Sequence, residues 1–181
     1  MKDTTLPKRL ADELARTSRR GLAEEAQRWM EKALRARDEG RAPDARRAAV
    51  RAKQAAPRSP AVREALGLAA YELGEWHEAA QELLAARRMT GRRNHDPVIA
   101  DAYVRLGRAT RALDFLADLG RNDVPERVWI DAQVVRARAF ASRGLDDSAT
   151  SVLVRAARDA GPTARARLAE AGRELGQKRD A

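Results

Sequence analysis

Amphipathic segments follow one another along the chain in pairs joined by short connections. The stretch ALGLAAYELGEWHEAAQEL, residues 65–83, sets Gly67, Gly74 and Ala79 at regular intervals among larger apolar residues. Proline supplies the punctuation. Pro7, Pro43, Pro60, Pro97, Pro125 and Pro162 each stand where an amphipathic segment begins, Pro57 follows the end of one, and none falls inside a run. Charge agrees with this division. Asp44, Glu75, Glu78, Asp146 and Asp147 fall in first turns, and Arg51, Lys53, Arg87, Arg88, Arg155 and Arg158 in last turns, each complementing the helix dipole. The pattern predicts helices over 6–19, 22–39, 43–55, 60–73, 75–89, 96–106, 108–119, 124–143, 146–159 and 162–175.

A period underlies the pairs. Gly40, Gly74, Gly107 and Gly144 are 34, 33 and 37 residues apart, and each has an alanine five residues later: Ala45, Ala79, Ala112 and Ala149. Seven residues before each glycine is another small residue, Ala33, Gly67, Ala100 or Ala137; four after each alanine stands Ala49, Leu83, Leu116 or Leu153. Leu168, Ala169, Leu175 and Gly176 start a fifth, partial copy. Two antiparallel helices approach closely only where small residues meet at the crossing, and a glycine between them permits the turn. The quoted stretch is therefore read as one helical hairpin of a repeat.

Composition narrows the class. Charged residues make up 35% of the 181 and aromatics 4%, so the core of an all-α fold has to be thin and lined by alanine and leucine, as in stacked helix pairs. The net charge of +9 permits attraction to nucleic acid or acidic proteins. Five of the 36 basic residues are lysines, so arginine supplies nearly all of this charge, which also fits a simple compositional bias. The lack of cysteine excludes disulfides, thiol catalysis and cysteine-ligated zinc. With no signal-peptide core and no stretch of transmembrane length, a cytoplasmic protein without membrane association is expected.

These spacings resemble the tetratricopeptide repeat (TPR), a 34-residue helix-turn-helix unit. Residues 60–93 carry the likeness through Leu66-Gly67, Leu73-Gly74, Ala79, Leu83 and Ala86. Residues 26–59 carry it through Trp29, Gly40, Ala45, Ala52 and Pro57, departing at Lys32, where leucine is usual. Copies at 94–123 and 124–160 follow, the last with Arg136 at the leucine place. LGLAAYELGEWHEAAQELLAARRMTG, PVIADAYVRLGRATRAL and TTLPKRLADEL are also similar to an actinobacterial TPR family without an assigned biochemical role. The resemblance implies a right-handed TPR-like α-solenoid of about four hairpins over residues 22–161, capped by helices within 1–21 and 162–176 and ending in a tail, 177–181. Stacking of this kind can continue between chains, which admits a homodimer through a terminal helix.

Catalytic chemistry finds little support. The chain has no phosphate-binding glycine loop, no dinucleotide fingerprint and no H-E-x-x-H. His77 and His95, the two histidines, lie 18 residues apart, and neighbouring Glu78 and Asp96 face away from them on a helix. No catalytic residue, metal site or cofactor is assigned. Acid pairs such as Asp12-Glu13 and Asp146-Asp147 are read as helix caps and solvated faces.

The resemblance instead implies a concave groove lined by the first helix of each hairpin. Carried over position by position, it offers Met30, Leu34 and Arg37; Glu64, Leu68, Tyr71 and Glu72; Asp101, Val104 and Arg105; and Arg138, with Ala141 and Ser142. Met30, Glu64, Leu68 and Asp101 replace the lysines and asparagines of a carboxylate clamp, so that mode is disfavoured. Leu34, Leu68, Tyr71 and Val104 either form an apolar strip for a protein partner or fill space between copies. The positive charge falls on second helices and the loops after them, at Arg46, Arg47, Arg51, Lys53, Arg87, Arg88, Arg92 and Arg93. These residues either meet the phosphates of RNA or a ribosome, or form a solvated rim. No aromatic residue interleaves with these arginines, so base stacking and sequence readout are not expected there. The readings that result are a non-enzymatic protein-binding scaffold first and an RNA- or ribosome-associated protein second.

Overall fold

The proline and acid signals act as helix starts. In the computed structural model, which describes residues 6–158 and 160–177, Pro60 and Pro162 are the first residues of their helices. Pro43 and Pro97 sit in first turns, and Pro7 and Pro125 just ahead. The described residues form ten helices and no strand: α1 (Lys8–Thr17), α2 (Ala23–Asp38), α3 (Ala42–Ala55), α4 (Pro60–Glu72), α5 (Trp76–Thr90), α6 (Asp96–Arg105), α7 (Ala109–Leu116), α8 (Glu126–Ala141), α9 (Asp146–Arg158) and α10 (Pro162–Gln177). The all-α expectation is met. The tail from residue 178 onward, residues 1–5 and Asp159 lie outside the described residues.

One hydrogen-bond arrangement makes all four hairpin turns. Gly40, Gly74, Gly107 and Gly144 take φ of 70°, 77°, 72° and 72°, the left-handed region open to glycine at no steric cost. The residue after each glycine donates its backbone N–H five residues back, Arg41 to Ala36 and Arg108 to Tyr103 at 2.8 Å, Glu75 to Ala70 at 2.9 Å and Leu145 to Phe140 at 3.0 Å. The carbonyl of that same residue then accepts the N–H of the alanine in the first turn of the next helix: Ala45, Ala79 or Ala149 at 3.0 Å, Ala112 at 3.1 Å. A single residue thus closes one helix and starts the next, which fixes the spacing from glycine to alanine at five.

That spacing carries the alanine to the helix crossing. Ala45, Ala79, Ala112 and Ala149 are all buried, as are Ala33, Gly67, Ala100 and Ala137 on the preceding helices and Ala49, Leu83, Leu116 and Leu153 one turn on. The approach of α4 and α5 is tight: a Cβ on Gly67 would lie 2.7 Å from Leu83 Cγ and 3.2 Å from the Ala79 carbonyl oxygen. In α10 the matching small residue, Ala169, is exposed instead, because no described helix lies over it. It lines an apolar groove of about 460 Å³ with Leu153, Val154 and Gly172.

The helices gather into two compact units that divide between Arg92 and Arg93, at the junction of the second and third hairpins. In the amino-terminal unit Leu14, Met30, Ala52, Val62 and Leu66 share one core. Helix α1 is tied down by polar contacts: Gln27 donates to the Ala11 carbonyl at 3.2 Å, and the Glu13 carboxylate accepts from Ser59 Oγ at 2.5 Å and the Ala61 N–H at 3.1 Å. Glu13 thus caps the start of α4 beside the Ser59 hydroxyl, which accepts the Val62 N–H. On α5, buried Glu82 binds Lys53 of α3 at 2.6 Å and Arg63 of α4 at 2.8 Å, joining three helices.

The carboxy-terminal unit is built on Ile130, Val134, Ala137, Leu153 and Leu168. Its first hairpin holds Tyr103 edge-on to Phe115, with ring centroids 6.0 Å apart. Helix α7 stops at Leu116, three residues short of the predicted end. Glycine and short polar residues follow, and the Asp123 side chain accepts the Gly120 N–H at 2.8 Å, offering the backbone a turn in place of helix.

Turn and helix glycines should respond oppositely to alanine. Nothing lies within 4 Å of a Cβ added at Gly40, so Gly40→Ala meets only the left-handed backbone penalty and should cost about 1–2 kcal/mol. A Cβ added at Gly172, inside α10, would make ordinary 3.8 Å contact with Leu153, so Gly172→Ala should gain about 0.5–1 kcal/mol. Urea denaturation followed by helical circular dichroism checks both signs.

Candidate functional site

Within the carboxy-terminal unit the hairpins leave a cleft of about 650 Å³ along their first helices. Asp101, Val104 and Arg105 of α6, Arg138, Ala141 and Ser142 from α8 and its end, and Glu174, Leu175 and Gln177 of α10 line it, with Asp146 at the start of α9. The first six come together as the repeat spacing places them. Glu174 and Leu175 are additional. They belong to the helix read as a cap, and Leu175 is in register with the repeat, which is the signal that marks it.

A buried carboxylate organises the charges. Asp101 is 2% exposed, and its Oδ2 accepts from Arg105 Nε at 3.2 Å while Oδ1 lies 3.6 Å from Arg138. Arg138 also donates to Glu174 at 3.0 Å, so the ion chain runs from α6 through α8 to α10. Both arginines reach solvent, which keeps each pair weak on its own, but the network holds two guanidinium groups in set positions around Val104 and Ala141. The cleft therefore offers an apolar floor between fixed charges of both signs.

The groove positions of the amino-terminal unit divide differently. Met30 is buried in the core of its unit, so it supports packing and offers no surface. Leu34, Glu64, Leu68 and Tyr71 are half-buried, as is Arg37, and Glu72 is exposed. The Tyr71 ring meets Trp76 edge-on at 5.2 Å, across the Gly74 turn.

Several of the basic residues singled out as phosphate contacts hold carboxylates. Arg46 binds Glu75 at 2.5 Å and Glu78 at 2.8 Å, linking the second helices of two hairpins, and Lys53 is engaged by Glu82. Arg93 donates to Asp96 and Asp118, each at 2.8 Å. Hydrogen bonds to these carboxylates raise the guanidinium pKa of Arg46 and Arg93, against an opposing effect of burial that is the largest single influence on each. Arg47 pairs with Asp44. Arg51, Arg88 and Arg92 are exposed, and Arg87 is half-buried.

The expectation that no aromatic ring interleaves with these arginines is corrected. Trp29 of α2 shares a pocket of about 370 Å³ with Arg46, Arg47, Val50 and Arg51 of α3. The hairpin turn brings this ring from another helix, beyond the reach of any local sequence window. Among the described residues no three side chains of metal-ligand type converge, and no helix is long and apolar enough to cross a membrane. Comparison with protein-family models, curated proteins and solved structures finds no match to this chain.

Asp101→Asn keeps the shape of the buried side chain and removes the charge that restrains Arg105 and Arg138. Because solvent reaches both arginines, a loss of only about 1 kcal/mol is expected. Urea denaturation of the variant beside wild type measures it.

Proposed function

We propose that the chain is a non-enzymatic interaction scaffold built from tetratricopeptide-type hairpins, and that the cleft along α6, α8 and α10 captures a segment of a protein partner. The observation that carries this reading is the cleft itself. Val104, Ala141 and Leu175 supply an apolar floor, and the ion chain from Arg105 through Asp101 and Arg138 to Glu174 supplies fixed charges along it. An amphipathic helix or extended segment places apolar anchors on such a floor and its polar groups at the charged rim. The repeated turn geometry supports the TPR assignment. Four glycines, each followed by the same pair of backbone hydrogen bonds, reproduce one hairpin four times among the described residues.

A photo-crosslinking amino acid at Val104, compared with one at exposed Thr110 on α7, tests the cleft in a cell lysate. A protein adduct is expected from position 104 and not from position 110. Ala141→Glu, which blocks the floor, should lower adduct yield about tenfold or more. Equal labelling from both positions, or capture unchanged by Ala141→Glu, contradicts the reading. Leu68→Ala with Tyr71→Ala provides the matching test of the first helices in the amino-terminal unit.

A further inference from the structure

A second concavity in the carboxy-terminal unit has a different chemistry. It measures about 470 Å³ and is lined by Trp129, Gln133 and Arg136 of α8, by Val152, Arg155 and Ala156 of α9, and by Arg121 from the connection before α8. Trp129, Gln133 and Arg136 are spaced i, i+4 and i+7, so they share one helix face. Three arginines line the concavity, and the lining contains no carboxylate. From outside the lining, Glu126 lies 3.2 Å from Arg121, and the charge of Asp118 reaches Arg136.

One of these guanidinium groups is held in a set orientation. Arg136 is clamped by the Leu116 carbonyl and by Gln133 Oε1 at 3.2 Å, which fixes the plane of its guanidinium and leaves three of its five N–H donors. Burial lowers the pKa of this arginine, with Asp118 opposing, so the site holds a cation that water compensates poorly and an anion would compensate well. Gln133 is 5% exposed, and its amide nitrogen has no hydrogen-bond partner. Its orientation is set, because the amide oxygen is the acceptor for Arg136. Beside these donors the half-buried Trp129 ring has the Arg121 guanidinium 5.3 Å from its centroid, and an aromatic ring and a guanidinium plane are both surfaces on which a nucleobase stacks. The volume lies in the range of small-molecule sites, larger than a lone phosphate needs.

We propose that this pocket binds a nucleotide, free or within a single strand, its phosphate on Arg136 and Arg155 and its base stacked against the Trp129–Arg121 pair. The site is separate from the cleft on the first helices, so its test stands apart from that of the scaffold. The pocket around Trp29 has the same plan but is more nearly neutralised. There Arg46 is bound by Glu75 and Glu78, and Arg47 by Asp44.

The test is an isothermal titration of the full chain with adenosine 5′-monophosphate, inorganic phosphate and a short single-stranded oligouridylate, with poly-glutamate as competitor. The monophosphate should bind about tenfold or more tighter than phosphate, reflecting the stacked base. Arg155→Glu, at an exposed position, should weaken both about tenfold or more. Trp129→Leu should remove the advantage of the nucleotide and leave phosphate binding in place, with circular dichroism confirming the fold of each variant. Tighter binding of the oligonucleotide than of the monophosphate assigns the site to a strand, and equal binding assigns it to a free nucleotide. No saturable nucleotide binding by wild type, nucleotide binding unchanged in Arg155→Glu, or poly-glutamate displacing the nucleotide at equal charge concentration would each overturn the proposal.

Discussion

Two helices that lack large apolar side chains stabilise each other only by lying close, and closeness is limited by what stands at the crossing. In α4 and α5 that limit is set by hydrogen. With no Cβ on Gly67, Leu83 and the Ala79 carbonyl occupy space that any larger residue would claim. The other hairpins use alanine on both sides, buried in every case. Each buried methyl or methylene contributes on the order of 0.8 kcal/mol, so an alanine-lined hairpin gains little from its own interior and depends on neighbours stacked against it. The contacts of α3 with α4 and of α7 with α8 meet that need inside each unit.

A thin core also explains how the charges are used. Where apolar area is short, ion pairs join neighbouring helices: Glu82 with Lys53 and Arg63, Arg46 with Glu75 and Glu78, Asp101 with Arg138. Such pairs contribute modestly where solvent reaches them, but each fixes side chains that would otherwise sample many rotamers. Much of the positive charge is therefore structural. Beside Trp129, three arginines line a pocket whose lining contains no carboxylate.

What was legible in the sequence was whatever local backbone geometry dictates. The five-residue step from Gly74 to Ala79 is a consequence of one residue, Glu75, serving two helices, so it survives as a spacing even where side chains differ. The end of α7 was not legible, because the Asp123 side chain that bonds the Gly120 N–H is recruited from beyond the helix. Val104, Arg105 and Arg138 could be placed together only through the repeat register, while Met30 in the same register is buried because α1 and α4 contribute to the core around it. The pairing of tryptophan with arginine was invisible for a related reason. Trp29 and Arg46 lie on different helices, and only the hairpin brings them together.

Gly67 and Leu83 compete for one space at the crossing, and a double-mutant cycle measures that directly. Gly67→Ala should destabilise the wild type, and in a Leu83→Ala background, where only the Ala79 carbonyl still crowds the added methyl, the same change should cost markedly less. The expected coupling is about 1 kcal/mol or more, read from urea denaturation. Costs that simply add would show that the two residues do not compete for the crossing, and the close-packed hairpin would have to be given up.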